Sequence, residues 1–453
     1  MCDAAGGTLL KGSADVAFTR VCTDSRRLQA GDVFFAIKGE KFDGHEFIRE
    51  AGERGAVAVV LARSCVPENL PACAVIVVDE PRAALGKLAT AYRRQFELPV
   101  IAVGGSNGKT TVKELVASVL RQKFSTLWSE ASFNNDIGVP ATLLRLNQTH
   151  QAAVLEAGTN HPGELAPLVK MIAPKFGIIT SIGREHLEFF GDVAGVAEEE
   201  GALAERMPAD GKLFLNGDSE WSEKIAARTK AQVVTVGIGE KNDWCAKKIR
   251  LDKNGVTFQA VTAKAEFCGA YRINLLGQHQ VTNALFAIAI GAELGLARVE
   301  IQDGLVACQP PKMRLNFWEA NGVRVLDDCY NANADSTIAA LETLCGLPLQ
   351  GRRVAVLGDM GELGAHTEPA HAEVGRRAAE LKINQLFAVG KMAAVTAQAA
   401  REAGLVRVFE FADVEGAVKA VKNFLKPGDV VLLKASRSAR LERIAETLKA
   451  GII

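Results

Sequence analysis

Short apolar runs alternate with segments of helical periodicity along most of the chain, and this alternation is typical of α/β proteins. The apolar runs predict strands, and in the first half of the chain they lie at 33–37, 56–61, 74–78, 99–103, 152–155, 176–182 and 212–215. The helical pattern is clear after the run at 99–103, where Leu115, Val116, Val119 and Leu120 share one face. Such strand–helix units predict a mostly parallel sheet covered by helices on both faces.

The same rhythm restarts in the second half of the chain after a break. A polar, β-rich stretch at 233–273 is followed by a pattern at 281–294 that predicts an amphipathic helix. Pro310 and Pro311 then mark a boundary, since proline ends the preceding element and stiffens the joint. Beyond them the patterns predict strands at 323–326, 354–357, 386–389, 406–411 and 430–433, and helices at 336–344 and 369–381.

The chain length of 453 residues accommodates about three domains at roughly 150 residues each. We predict a small N-terminal α/β domain over 1–84, a central domain over 85–310 and a C-terminal Rossmann-like α/β domain over 311–453. In the central domain a glycine-rich loop follows the first strand and precedes a helix. This order is that of a P-loop ATPase-like domain with a mostly parallel sheet.

Composition narrows the function classes. Lysine and arginine together number 53, as do aspartate and glutamate, so the formal net charge is zero and a generally cationic nucleic-acid binder is excluded. Apolar residues make up 48% and charged residues 23%, which excludes disorder over a large part of the chain. No apolar run approaches the roughly 18 residues of a membrane-spanning helix, and no secretory signal is visible. The nine cysteines include no C-x-x-C pair, which favours a reducing cytoplasm.

The glycine-rich loop has the chemistry of a phosphate site. It reads G-G-S-N-G-K-T-T over 104–111 and stands between a buried strand and a helix start. Glycines let backbone N–H groups turn toward phosphate oxygens, and the helix N-terminus adds partial positive charge. Lys109 can reach the terminal phosphates of a nucleotide, and the hydroxyl of Thr110 can ligate Mg²⁺.

Acidic and histidine positions near predicted strand ends extend this site. Glu156 follows the run at 152–155, and a carboxylate there would lie at the carboxyl edge of the sheet beside the phosphate loop. Carboxylate and hydroxyl oxygens are ligands that Mg²⁺ prefers. His186 follows the next strand and would project from the same edge. The run Glu198-Glu199-Glu200 lies on a predicted helix, where by itself it reads as a solvated face.

Six motifs occur in the order found in Mur ligases, and the chain resembles that family over nearly its whole length. They read G-G-S-N-G-K-T-T, S-F-N-N-D-I-G-V-P, L-E-A-G-T-N-H-P-G-E, G-R-E-H-L-E, G-Q-H-Q-V-T-N-A-L and D-D-C-Y-N-A-N-A-D-S. The last motif, with L-G-D-M-G-E-L-G after it, resembles the dipeptide-adding type. The resemblance implies an ATP- and Mg²⁺-dependent ligase that joins D-alanyl-D-alanine to UDP-N-acetylmuramoyl-tripeptide through an acyl phosphate. It implies small-molecule substrates, no nucleic acid and no integral membrane segment, and we expect a cytoplasmic monomer.

The resemblance also assigns roles to individual residues. The residues that match the family's ATP-binding positions are Gly104, Gly105, Ser106, Asn107, Gly108, Lys109, Thr110, Thr111, Asn283, Arg314 and Asp328. The residues that match its substrate-facing positions are Ser25, Arg26, Asn134, Asn135, Tyr330, Asn331, Asn333, Lys434, Ser436 and Arg437. Thr110, Glu156 and His186 match metal ligands, and Lys109, Glu156, His186 and Glu200 make up the implied catalytic set. The family's K-G-S-R-like segment has Ala435 in place of glycine here.

One position departs from the family pattern. Where the family usually has a carbamylated lysine that supports Mg²⁺, the matching residue is Glu200. Glutamate offers the same charge and ligand type, so we predict that Glu200 replaces the carbamate. A shifted register would select Glu199 instead, and a third alternative is a weakened second metal site. The base that accepts the proton of the dipeptide amine stays open between His186 and Asp335.

Two other functions compete with this interpretation. One is another amide ligase of the same superfamily, of the diamino-acid-adding or folylpolyglutamate type, although the D-N-P-R segment of the diamino-acid-adding type is absent from the sequence. The other is a nucleotide-dependent switch that uses the phosphate loop without ligation. Glu156, His186 and the paired asparagines argue against a switch, which would not need them together. The third residue of the peptide substrate, lysine or diaminopimelate, is not legible from the sequence.

Overall fold

The computed structural model describes residues 1–450 and confirms the predicted α/β class. Three sheets follow one another along the chain. The first sheet and its helices comprise α1 (Cys2–Ala5), β1 (Thr8–Lys11), β2 (Val21–Cys22), β3 (Val33–Phe35), α2 (Ile48–Glu53), β4 (Ala58–Ala62), β5 (Ala74–Val78) and α3 (Pro81–Arg93). The strand order is β1-β5-β4-β3-β2, parallel except for β1.

The middle segment carries the phosphate loop. Its elements are β6 (Val100–Gly104), α4 (Lys109–Leu120), β7 (Thr126–Trp128), α5 (Gly138–Leu143), β8 (Ala152–Glu156), α6 (Leu165–Ile172), β9 (Phe176–Ile179), α7 (Leu187–Phe190), α8 (Val193–Glu205), β10 (Lys212–Asn216), α9 (Ser222–Ala226), β11 (Gln232–Val236), β12 (Trp244–Asp252), β13 (Gly255–Thr262), β14 (Gly269–Ile273), α10 (Gln280–Glu293) and α11 (Arg298–Ala307). Strands β12, β13 and β14 pair antiparallel, whereas β10 and β11 pair parallel.

The last segment forms a six-stranded sheet of Rossmann type. Its elements are β15 (Asn316–Ala320), β16 (Val323–Asp328), α12 (Ala334–Gly346), β17 (Arg353–Gly358), α13 (Thr367–Glu380), β18 (Gln385–Val389), α14 (Ala393–Glu402), β19 (Val408–Phe411), α15 (Val414–Phe424), β20 (Val430–Lys434) and α16 (Glu442–Lys449). The order is β15-β16-β20-β17-β18-β19, and only β15 runs antiparallel. Two apolar layers, one on each face, bury this sheet.

The contacts divide the chain into two compact units. The first unit holds residues 1–102, 124–159 and 164–176, and therefore the first sheet together with the parallel pair β7–β8. The second unit holds 103–123, 160–163 and the chain from Gly177 onward. It contains the phosphate loop, α4, the strands from β9 to β14 and the whole last sheet. The predicted domain boundaries at 84/85 and 310/311 stay predictions.

Close helix packing fixes the phosphate-loop helix in the second unit. Helix α4 packs against α10 and α11. A Cβ on Gly304 would come within 2.4 Å of the Cα of Val119, so only glycine allows α11 to approach α4 this closely. The helix predicted at 281–294 is confirmed as α10. The prediction that it is amphipathic is wrong, because α10 is buried on nearly every side. A helix that is apolar all round belongs in a core, and here it backs the nucleotide loop.

Candidate active site

The phosphate loop connects β6 to α4, and two of its glycines are required by the backbone. Gly105 and Gly108 adopt φ values of 107° and 89°, in the region that side chains rarely enter. A Cβ on Gly105 would lie 2.5 Å from the hydroxyl oxygen of Thr180, and one on Gly108 would lie 2.8 Å from Oδ1 of Asn283. The loop is thus a tight turn onto a helix N-terminus, the geometry that binds phosphate.

Lys109 folds back over this loop. Its Nζ donates to the carbonyl oxygens of Gly105 at 2.5 Å and Ser106 at 3.2 Å. It also lies 3.1 Å from Oε2 of Glu185, a side chain that is 9% exposed. Burial raises the pKa of Glu185, and the ammonium of Lys109 opposes that rise. Glu185 was not among the predicted site residues, and its only signal in the sequence was its place between Arg184 and His186.

Glu200 lies against the same loop. It is fully buried, and its Oε2 accepts a hydrogen bond from the backbone N–H of Gly105 at 2.6 Å. Its Oε1 is buried with no hydrogen-bond partner among residues 1–450. Burial raises the pKa of Glu200 to about 8, and the nearby carboxylate of Glu185 contributes to the rise.

The reading of the glutamate run as a solvated face is therefore wrong for two of its three residues. Glu198 is exposed and pairs with Arg228. Glu199 is 9% exposed and accepts from the backbone N–H of Gly163 at 2.7 Å. Because helix α8 turns this edge inward, two acidic side chains are buried, and Glu200 bonds to the phosphate loop through the N–H of Gly105.

His186 occupies a strained position at the start of α7. Its φ is 49°, which is uncommon for a residue with a side chain. Its Nδ1 lies 2.5 Å from Oε2 of Glu362, and this hydrogen bond holds the pKa of Glu362 below its usual value. Glu362 belongs to the L-G-D-M-G-E-L-G segment, and no pattern in the sequence assigned it to His186.

The start of α12 docks against the phosphate loop. Asn333 caps this helix, and its Nδ2 donates to Oδ1 of Asn107 at 3.0 Å. Asp335, one of the two candidate bases, accepts from the backbone and guanidinium of Arg184. Nη2 of Arg184 lies 2.6 Å from Oδ1 of Asp335, so the two side chains form an ion pair.

The end of β20 and the residues that follow it lie beside the carboxyl ends of β16 and β17. Nζ of Lys434 lies 2.6 Å from Oδ2 of Asp328 and donates to the carbonyl of Asn331 at 3.0 Å. The Ser436 hydroxyl donates to the carbonyl of Ala332 at 3.1 Å and accepts from Gly361 N–H at 2.8 Å. Arg437 is more exposed and pairs with Glu442. Ala435 is fully buried, so its methyl group fills core space rather than the site.

A cavity of about 230 Å³ opens beside α4. Arg314 lines it, with its guanidinium 4.3 Å from the ring centre of Tyr330. Asn283 stands behind Gly108 and donates to Oε1 of Gln280, another lining residue, at 2.8 Å. The wall also includes Thr111 and residues that the sequence analysis missed, among them Lys253 and Asn254 of the β12–β13 turn.

The first unit holds the remaining predicted residues. Glu156 is buried at the end of β8 and accepts from Nδ2 of Asn134 at 2.9 Å, so these two predicted residues are brought together. Oδ1 of Asn135 accepts from the N–H groups of Ile137 and Gly138 just before and at the start of α5.

The predicted residues Ser25 and Arg26 lie in a short 3-10 helix, Ser25–Arg27, whose N-terminus is capped by the side chain of Asp24. Asp24 accepts from the side chain of Arg26 at 2.8 Å, and the carbonyl of Ser25 accepts from Arg54 at 3.0 Å.

Two properties of the described residues bear on metal binding and on membrane insertion. Across 1–450, no three His, Cys, Asp or Glu side chains are grouped as a ready-made metal site. Within the same range, no helix combines the length and apolarity needed to cross a bilayer. Any cation bound at the phosphate loop would therefore draw part of its coordination from hydroxyl, nucleotide or water oxygens.

Comparison with family models covers most of the chain. The description "Mur ligase family, catalytic domain" matches residues 17–93, "Mur ligase middle domain" matches 103–291, and "Mur ligase, glutamate ligase domain" matches 313–437. The UDP-N-acetylmuramoyl-tripeptide–D-alanyl-D-alanine ligase of Escherichia coli (strain K12) is 36% identical over 448 residues, which are 96% of this chain and 95% of the relative.

Solved structures agree with these matches. A crystal structure of MurF from Acinetobacter baumannii superposes with a TM-score of 0.90 at 33% identity, covering 99% of this chain and 97% of the other. MurF ligase from Thermotoga maritima, solved in complex with ADP, gives a TM-score of 0.83 at 26% identity, with 97% and 99% covered. The resemblance predicted from the ordered motifs is confirmed, while the roles of individual residues stay predictions. The chain belongs to the Mur ligase family, and within that family to the MurF group.

Proposed function

We propose that the protein is an ATP-dependent ligase that joins D-alanyl-D-alanine to UDP-N-acetylmuramoyl-tripeptide, forming a C–N bond with ADP and phosphate as products. The match to ligases of that name over nearly the whole chain carries the proposal. The phosphate loop and the acidic cluster beside it support it independently, because a nucleotide switch has no need of two buried glutamates there. The proposed substrates are small molecules. We also propose that the protein acts in the cytoplasm and that it is a monomer.

The proposed division of labour follows the predicted domains. Residues 1–84 would hold the uridine nucleotide through Ser25 and Arg26. Residues 85–310 would bind ATP, and 311–453 would bind the dipeptide near Lys434 and Ser436. The polar lining of the cavity beside Arg314 suits the nucleoside part of ATP, whose phosphates would extend to Lys109.

Two chemical steps follow from this arrangement. A carboxylate is a poor electrophile, so the peptide carboxylate first attacks the γ-phosphorus of ATP, and ADP departs from the resulting acyl phosphate. The neutral amine of the dipeptide then attacks the acyl carbon and gives up a proton to a base, for which His186 and Asp335 are the candidates. The bond between the acyl carbon and the phosphate oxygen breaks, and inorganic phosphate leaves. Lys109 and the N–H groups at the start of α4 stabilise charge on the transferred phosphoryl group.

We propose that Mg²⁺ binds beside the phosphate loop, where Thr110 and Glu200 would supply oxygen ligands and the cation would offset repulsion between the carboxylate and the triphosphate. Glu156 and His186 are further ligands that the family resemblance implies. The hydroxyl of Thr110 and the carboxylate of Glu200 are oxygen ligands of the kind that Mg²⁺ prefers. The buried Oε1 of Glu200, which has no hydrogen-bond partner within 1–450, is an acceptor that a cation or its water would satisfy. The hydrogen bond to Gly105 favours Glu200 over Glu199 as the replacement for the family's carbamate.

The test is mass spectrometry of the product formed from ATP, D-alanyl-D-alanine and UDP-muramoyl-tripeptides that carry lysine or diaminopimelate. A product heavier by one dipeptide residue unit supports the proposal and identifies the third residue. Transfer of ¹⁸O from the tripeptide carboxylate to released phosphate would establish the acyl phosphate. Phosphate release that ignores both substrates, or a product only with a single amino acid, would contradict the proposed function.

A further inference from the structure

One short segment of the second unit supports the phosphate loop. The Thr180 hydroxyl donates to the carbonyl of Asn107 at 2.7 Å, and the Ser181 hydroxyl accepts from the N–H of Asn107 at 2.9 Å. The N–H of Gly183 donates to the hydroxyl of Ser106 at 2.9 Å. A shift of this segment would therefore move Ser106 and Asn107, the middle of the loop. The next residue along the chain is Arg184.

Arg184 extends from this segment to two helices of the last sheet. Its backbone N–H donates to Oδ2 of Asp335 at 2.8 Å, and its Nη2 donates to Oδ1 of the same carboxylate at 2.6 Å. Nη1 and Nη2 also pair with Glu373 of α13. One cation thus ties the start of α12 and the side of α13 to the segment that carries the phosphate loop.

The environment of this cluster makes it more than a surface ion pair. The side chains of Arg184, Asp335 and Glu373 are 30%, 36% and 39% exposed, so solvent screens them only in part. The planar guanidinium donates to both carboxylates at once, a geometry that lysine cannot reproduce. A Cβ on Gly183 would come 2.7 Å from Oδ2 of Asp335, so the absence of a side chain at Gly183 leaves room for this carboxylate against the segment.

We propose that Arg184 is a positioning residue that couples the state of the phosphate loop to the docking of α12 and α13. Nothing in the family motifs assigns it a role in this chain. The kinetic part of this inference rests on the proposed function, in which the last sheet brings the dipeptide to the activated carboxylate. While the guanidinium holds its contacts, α12 and α13 stay docked against the phosphate loop. The last sheet then keeps the dipeptide near the activated carboxylate and keeps water away from the acyl phosphate.

The first experiment compares Arg184→Met with Arg377→Met. Arg377 is a matched control because it lies on α13 and its ion pairs with Glu342 and Glu380 stay among the helices of the last sheet. We expect R184M to raise the KM for D-alanyl-D-alanine about tenfold, within the 5–150-fold span usual for coupling between sites. The Kd for AMP-PNP should change less than threefold, roughly, because the loop keeps its own contacts. More phosphate should be released per product formed.

Further variants separate positioning from simple support. Arg184→Lys should recover part of the loss, and R184M combined with Glu373→Gln should be no worse than R184M alone, since both changes remove the same contact. R377M should match the wild type in every readout. If R184M weakens AMP-PNP as much as it raises the dipeptide KM, or leaves both unchanged, the proposal is overturned.

A measurement without the dipeptide keeps this inference separate from the proposed ligase activity. Small-angle X-ray scattering of the full chain, with and without AMP-PNP and Mg²⁺, measures the radius of gyration. This quantity changes when the last sheet docks or separates. We expect the nucleotide to lower the radius of gyration of the wild type and of R377M but not of R184M. If wild type and R184M respond alike, or neither responds, Arg184 does not couple the two regions. If the responses differ but no dipeptide product forms, only the proposed function fails.

Discussion

Replacing Glu200 by glutamine tests the most consequential electrostatic feature of the site. In the ligand-free protein, burial raises the pKa of Glu200 to about 8, so the folded state retains its proton well above the ordinary glutamate pKa of 4.5. Between these two pH values the native protein binds more protons at this position than the unfolded chain. Stability therefore falls as pH rises through that window, whereas below 4.5 it is unaffected by this group.

The magnitude follows from the pKa and the burial. The pKa rises from 4.5 to about 8, a difference of about 3.5. At roughly 1.4 kcal/mol for each pH unit, the free energy of unfolding changes by about 5 kcal/mol at most. The side chain is fully buried, so solvent screening does not reduce this figure. Glutamine is nearly isosteric with the protonated acid, and its oxygen can still accept from Gly105. We expect Glu200→Gln to equal the wild type near pH 5 and to exceed it in stability by a few kcal/mol above pH 8.

The assay is thermal unfolding of both proteins without nucleotide and in EDTA, at several pH values from 5 to 8.5. At a rate of about 2–4 °C per kcal/mol for large domains, the gap in Tm at high pH should reach several degrees. Glu198→Gln is the matched control, because Glu198 lies on the same helix and is exposed. A gap that stays constant with pH, or a wild type more stable than E200Q at pH 8.5, would refute the reasoning.

Three further predictions concern the nucleotide site, one on the rate of phosphate release and two on nucleotide binding. Lys109→Met should lower phosphate release by about 100-fold or more, because charge on the transferred phosphoryl loses its nearest ammonium; unchanged single-turnover rates would contradict this. Gly105→Ala should weaken AMP-PNP binding in calorimetry, since its Cβ would lie 2.5 Å from Thr180, whereas Gly404→Ala, with open space around it, should not. Arg314→Met should raise the KM for ATP about tenfold while the KM for the dipeptide stays within about twofold; equal rises in both would count against a nucleoside role for the cavity.

Several of the regular elements that bury one or both faces followed from the local pattern. The runs predicted at 354–357 and 430–433 are strands β17 and β20, and the helix predicted at 336–344 lies within α12. Each signal is local, because a strand buried on both faces must be apolar throughout. The phosphate loop was equally legible, since its glycines are demanded by a backbone turn that is visible in the residues themselves.

The burial of polar residues could not be predicted from the sequence in the same way. The glutamate run looks like a solvated face because nothing within α8 shows that two of its carboxylates turn inward. Helix α10 was predicted to be amphipathic because the pattern does not show that α4 and other elements cover its remaining sides. In both cases the missing information is which neighbour packs against the helix, and tertiary packing decides that.

The ionic contacts of the site join residues that are far apart in sequence. Glu185 meets Lys109, Glu362 meets His186, and Arg184 meets Asp335, at separations of 76, 176 and 151 residues. Three consecutive residues thus contact three different regions, so the segment that follows β9 organises the site although its own sequence carries no periodic signal. Motif matching identified His186 alone because motifs record ligands, whereas Glu185 and Arg184 act through other side chains. Residues of that kind are found only when the fold shows what they touch, which is why the Arg184 variants test the structure more stringently than any phosphate-loop variant does.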